Sequence, residues 1–351
     1  MDNTKHSHTG IEVLRILAML MIVSLHYLGK GGILETTQLS TNYLLGSLID
    51  SFCYVCVNCY VLISGYFLVK SSDFKIEKAC KLWLQIFFYS VGIFFLLSCF
   101  NIVPFSLKNM LKSFLPIKVA TYWFATAYMG LYLLFPYLNK LIITLSKKDY
   151  QKLILILVGV FSVYSFGNDT FHADKGYSPI WFIVLYFIGG YIRIFNPFDE
   201  NKKILLGYIF LSLFLFITRI VIYNIGSYLG LADKHEELFY AYNSPIVLLA
   251  SVALFLFFSN TVVSSLWLIR LINFFAPLTF GVYLIHEHFL IRDLLWKNWL
   301  NVPAFHNSNY FFLHYIISVV IVFVICAIIE KGRQKIFSVG ESIYQRISNK
   351  K

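Results

Sequence analysis

Ten apolar stretches, each near the roughly 20 residues a helix needs to cross ~30 Å of hydrocarbon, leave this chain little way to fold in water. They cover 11–28, 44–69, 82–103, 121–143, 153–167, 180–196, 204–223, 245–260, 272–290 and 311–329. The fifth and eighth are short. Only 13% of the residues are charged, against about 25% in a soluble domain, and the mean hydropathy is +0.70. The expected architecture is all-α, a polytopic integral-membrane bundle of about ten transmembrane helices. Pro136, Pro245 and Pro277 fall in or at the start of spans, where neighbouring helices can satisfy freed carbonyls. No soluble domain interrupts the chain, and no inverted repeat of the kind that marks many transporters is visible.

The net charge of +11 lies in short loops between the apolar runs rather than in one patch, so it reads as membrane topology and not as a nucleic-acid surface. With the N-terminus inside, nineteen of the 29 Lys and Arg residues fall on the inner side, eight outside and two, Arg15 and Arg219, within spans. Both termini are therefore expected in the cytoplasm. The first run is too long for a signal peptide's apolar region and is expected to be retained. Of six cysteines, Cys53, Cys56 and Cys59 recur every third residue, but helical positions that drift about 60° per step cannot by themselves enclose a tetrahedral zinc. They read as small packing residues, with no metal site expected.

The first run, GIEVLRILAMLMIVSLHYLG from Gly10 to Gly29, carries Arg15 near one end and His26 near the other. Eleven positions separate them by about 16 Å along a helix and only about 20° around it, so Glu12, Arg15, Met19, Ile22 and His26 form one stripe. An arginine at bilayer depth costs roughly 2.5–3.5 kcal/mol on insertion scales, which favours turning this stripe inward, to a bundle interior or wet cavity. Snorkelling to the cytoplasmic end is the competing reading for Arg15. As a functional group, Arg15 suits an anion near the inner mouth, oriented by Glu12.

Four other places attract notice. In the ninth run, PLTFGVYLIHEHFLIR, Tyr283 and His286 share a face, His286 lies near the level of His26, and His288 is about 200° away. Arg219 either snorkels outward or lines a cavity. Asn58, Ser64 and Gly65 in VNCYVLISGYFLVK put polar atoms and a close-approach point into an apolar helix, which fits helix packing. The loop from Lys70 to Lys81 is basic, as topology alone would make it or as a phosphate-bearing donor would favour.

Arg15 and His26 at a spacing of eleven, the Ser-Gly-Tyr of the second run and the Tyr-Leu-x-His of the ninth together resemble the membrane acyltransferase-3 family, integral-membrane O-acyltransferases that decorate bacterial surface polysaccharides. Two places, holding three residues, depart from the family pattern. Asn58 stands where many members have an acidic residue, and Lys78 and Lys81 stand where many have arginines, so they can meet phosphate only as point charges. The resemblance divides the chain into a cytoplasmic tail (1–10), a transmembrane acyltransferase domain (11–330) and a basic cytoplasmic tail (331–351). It implies a multi-pass protein of the bacterial plasma membrane, with acetyl-CoA as co-substrate rather than a permanently bound cofactor. The acceptor would be a hydroxyl of a polysaccharide or lipid-linked sugar.

In that frame His26, Arg15 and His286 are the expected catalytic set, with Arg15, Lys78 and Lys81 towards the donor. Tyr283, Ser64, Asn58 and Arg219 are expected towards the acceptor or oxyanion. His26 would act as general base on the acceptor hydroxyl or transiently carry the acetyl group. The competing class is a transporter or flippase of a lipid-linked sugar, which could also use intramembrane Arg and His.

Overall fold

A computed structural model describes residues 8–35, 39–71, 74–196, 200–228 and 238–348. Residues 1–7 of the expected N-terminal tail, Lys5 among them, the Lys234 segment of an outer loop, and Lys350 and Lys351 lie outside the described residues, whereas Thr9 and Gly10 already belong to the first helix. Those described form thirteen α-helices with short 3-10 and π turns and no strand: α1 Thr9–Lys30, α2 Thr41–Cys53, α3 Cys56–Leu68, α4 Ile76–Cys99, α5 Leu107–Phe114, α6 Trp123–Thr144, α7 Lys147–Val158, α8 Pro179–Phe195, α9 Asn201–Tyr228, α10 Pro245–Ser259, α11 Leu266–Phe275, α12 Thr279–His286 and α13 Phe311–Ser348.

Local chemistry sets several of these ends. Ser40, Ser146 and Ser178 cap α2, α7 and α8, each hydroxyl accepting a backbone N–H three residues on. Pro179 and Pro245 open α8 and α10, where a missing N–H costs nothing. Pro277 separates α11 from α12 with a 3-10 turn, while Pro136 is absorbed inside α6.

Each of the ten apolar runs is at least partly helical, but by length and hydropathy six helical segments among the described residues could cross a membrane. These are Thr9–Lys30, Thr41–Leu68, Ile76–Cys99, Asn201–Gly226, Leu266–His286 and Phe311–Gly340, with Pro179–Phe195 and Pro245–Ser259 as shorter apolar helices. The fifth run is divided between α7 and a π-helical turn over Gly159–Tyr164. The ninth stops at His286, four residues earlier than its hydropathy suggests, and Glu287 caps the helix.

α1 is the hub, packed against α2, α3, α10, α11, α12 and α13. Its side also binds α13 through polar contacts: Ser24 Oγ and Tyr315 Oη are 2.7 Å apart, and Tyr27 Oη and His314 Nδ1 are 2.8 Å apart. The molecule is apolar outside and polar in places inside. Ile316, Ile317, Val320, Ile321, Ile325 and Ile328 of α13 are exposed, whereas Asp50, Asn58, Arg219, His286, Glu287 and Glu330 are buried. That is the arrangement a lipid solvent favours, because the interior is where polar groups find partners. Glu330 shows it: fully buried, it accepts hydrogen bonds from Tyr89 (2.7 Å), Gln85 (3.2 Å), Gln334 (2.9 Å) and both Nε and Nη2 of Arg333, tying α13 to α4 beside α12.

Candidate active site

His26, in the last turns of α1, and His286, the final residue of α12, meet with Nδ1 of the first 2.9 Å from Nε2 of the second. The other nitrogen of His286, Nδ1, lies 2.6 Å from the carbonyl oxygen of Val282. A carbonyl can only accept, so His286 Nδ1 carries a proton, and in the neutral imidazole Nε2 is then an acceptor. His26 Nδ1–H must donate to it. The consequence is that the lone pair of neutral His26 sits on Nε2. Glu287, held by Arg292 at 3.3 Å, places its other oxygen 3.4 Å from His26 Nδ1, where a carboxylate would stabilise positive charge on that imidazole.

His26 also lines a cavity of about 330 Å³. Met19 and Ile22, the preceding members of its stripe, line it too, so the stripe does face inward over this half of α1. Tyr283, Glu287, Lys30 and Arg292 share the cavity with His26. One wall is aromatic: Tyr242 stacks on Tyr54 at 5.1 Å and on Trp123 at 5.9 Å, while Tyr177 lies 4.4 Å from Trp123. Asp50 and Arg219 supply another wall, ion-paired at 2.8 Å with side-chain exposures of only 5% and 3%. Arg219 Cζ lies 3.6 Å from the ring centroid of Tyr240, a cation–π contact in a desolvated place. A half-buried imidazole, a wall of donors and charges, and flat apolar faces suit a polyol whose ring stacks while its hydroxyls are hydrogen-bonded.

The family model of the acyltransferase domain, acyltransferase-3 type, matches residues 8–331. The chain belongs to the acyltransferase-3 family. No curated protein and no solved structure matches it. It is a membrane acyltransferase, and its candidate residues divide by where the bundle puts them.

In this acyltransferase His26, Tyr283 and Arg219 come together around the cavity. His286 stands directly behind His26, wholly buried and outside the cavity lining, so its geometry is that of a residue that orients the His26 imidazole. Arg15 is elsewhere: it pairs with Glu12 at 3.1 Å, keeps a side-chain exposure of 30%, and lies roughly 16 Å from His26 along the helix. Tyr60 links the two ends, since it lines the cavity while its hydroxyl donates to the Arg15 carbonyl at 2.9 Å.

Asn58 and Ser64 are not brought to the cavity. Asn58 Nδ2 donates to the Tyr242 carbonyl at 2.8 Å and its Oδ1 accepts from Trp181 Nε1 at 3.0 Å, which leaves a fully buried amide occupied at both ends. It secures the loop bearing the aromatic wall. Ser64 Oγ donates to the Tyr60 carbonyl of its own helix at 3.0 Å, a local bond that competes with any other use. Lys78 and Lys81 lie on the exposed first turns of α4, which packs on α5, α6 and α12. His288 is buried, with Nε2 towards the Ser90 carbonyl at 3.2 Å and Nδ1 accepting from Leu290 N–H.

Sequence reasoning passed over Asp50 and Glu287. Both carried a readable signal: each is a carboxylate inside an expected apolar span, and such groups are as costly in lipid as Arg15. Trp123 and Tyr242 carried none, because aromatics are common throughout this chain.

Proposed function

We propose that the enzyme moves an acetyl group from acetyl-CoA to a hydroxyl of a cell-surface polysaccharide or lipid-linked sugar at the bacterial plasma membrane. One observation carries the reading: the chain Val282 carbonyl, His286, His26 directs the free lone pair of His26 to Nε2, on a residue that lines an aromatic, polar-walled cavity. In this reaction His26 Nε2 takes the proton of the acceptor hydroxyl as its oxygen attacks the thioester carbonyl. A C–O bond forms, the C–S bond breaks, and the proton passes to the departing thiolate, leaving an O-acetyl ester and coenzyme A. Glu287 stabilises the imidazolium that exists between the two proton transfers. Tyr283 is the side chain available to the oxyanion.

The Arg15 end is the donor's end in this reading and faces the cytoplasm, in keeping with the bias of Lys and Arg. The step of roughly 16 Å to His26 is of the order an extended pantetheine arm covers. Purified protein in nanodiscs, given [14C]acetyl-CoA and extracted surface glycan, is expected to transfer label to the glycan, and His26→Ala to transfer none. Equal transfer by His26→Ala would remove His26 from the mechanism. Absence of any acetyl-CoA turnover in wild-type protein that nonetheless moves lipid-linked sugar between leaflets would favour transport.

A further inference from the structure

The Ser-Gly-Tyr segment of α3 has no part in the cavity, yet the molecule builds closely on it. α3 and α8 approach backbone to backbone: a Cβ on Gly65 would strike the Tyr186 backbone, and one on Gly189 would strike the Leu62 carbonyl. This contact brings Arg193, about one turn beyond Gly189, onto Tyr66, the residue after the glycine. Arg193 Nη1 donates to Tyr66 Oη at 2.9 Å, and its Cζ lies 4.7 Å from that ring's centroid.

Other basic groups gather on the same rings. His8 packs edge-on against Tyr66 and Phe67, with centroids 5.7 and 5.6 Å away. Arg15 Cζ lies 5.9 Å from Phe67. Burial, with the charges of Arg193 and Lys70 near it, holds the His8 imidazole below its ordinary range, and its buried Nδ1 has no hydrogen-bond partner among the described residues. Among the described residues the acid ion-paired within this group is Glu12, held by Arg15. Two guanidiniums and an imidazole thus gather on these rings, and among the described residues the one carboxylate ion-paired there is engaged by Arg15. Like charges held close repel, and among the described residues it is the backbone packing of α3 on α8 and the Tyr66 hydroxyl, rather than an acidic partner, that keep Arg193 in place. An anion with several oxygens relieves that repulsion, and the guanidinium nitrogens not engaged by Glu12 or Tyr66 suit phosphate.

We propose that Arg193 and His8, together with Arg15, form a phosphate-binding site, and that during transfer it holds a phosphate of the coenzyme A donor. The second half rests on the reading that the donor enters at the Arg15 end. Arg193 then supplies from α8 the forked guanidinium that neither Lys78 nor Lys81 can. An anionic lipid headgroup offers the same chemistry, so the test must separate the two sources.

Full-length protein in phosphatidylcholine nanodiscs would be titrated calorimetrically with coenzyme A, with pantetheine, which lacks the phosphates, and with short-chain phosphatidylglycerol. Coenzyme A is expected to bind at least about tenfold more weakly to Arg193→Gln than to wild type, with part of the affinity kept in Arg193→Lys and pantetheine affinity the same in all three. The lysine variant and the pantetheine control separate loss of the site from loss of the fold. Equal coenzyme A affinity in wild type and Arg193→Gln overturns the proposal. If phosphatidylglycerol binds wild type and not Arg193→Gln while coenzyme A binds neither, the phosphate site stands and the donor assignment fails. Binding of none of these ligands to wild type overturns both.

Discussion

The two ends of α1 are built differently. At the His26 end His286, Glu287, Asp50 and Arg219 are buried, and the ionisable groups are bound to one another: His26 to His286, Glu287 to Arg292, Asp50 to Arg219. At the Arg15 end the charges are half exposed, rest on aromatic rings and, among the described residues, outnumber their acids. A reacting centre gains from groups fixed in advance, because their reorganisation would otherwise add to the barrier. A site for a diffusing anion gains from charge left unneutralised until the anion arrives. One helix connects the two, which fixes their separation.

Substitutions can break this contrast. The largest effect is expected at His26: His26→Ala should lower kcat by about 10²–10⁴-fold with little change in donor KM, as steady-state release of coenzyme A would record. A drop confined to KM would move His26 out of the chemistry. Glu287→Gln keeps the shape and removes the charge beside His26 Nδ1, so a kcat loss of roughly 10–10²-fold is expected, again at unchanged donor KM. At the opposite end the pattern should invert, with Arg15→Gln raising donor KM about tenfold and sparing kcat at saturation.

Two substitutions test residues that face neither end. Asn58→Ala strands the Tyr242 carbonyl and Trp181 Nε1, so on the order of 2–3 kcal/mol of stability should be lost, visible as a lower unfolding temperature in detergent. Ser64→Ala removes only a bond to its own helix and is expected to leave both rate and stability nearly unchanged. A large kinetic defect there would restore Ser64 to the site.

These residues also show how far one-dimensional reasoning reached. Asn58 and Ser64 read as helix packing from the residues alone and as acceptor-side groups only through the family resemblance; the cost of polar atoms in an apolar helix does not by itself say whether the partner is a substrate or the protein. Asn58 has partners 123 and 184 positions away, and Ser64 has one four positions away. Arg219 posed the same ambiguity and resolved the other way, into the cavity with Asp50. Hydropathy carries the ninth run on to 290 and does not register that the helix ends at His286.

Sequence alone determined that the chain is a bundle of apolar helices. It also determined that Met19, Ile22 and His26 share an inward stripe with Arg15 about three turns below His26. Those follow from helix rise, rotation and the cost of charge in lipid, all local or additive quantities. Only the tertiary structure decided that His286 reaches His26 across 260 positions, that Glu287 stands beside it, and that Arg193 joins Arg15 through Tyr66 and Phe67. Such pairings depend on which helices pack together, and periodicity within a helix carries no information about its neighbours.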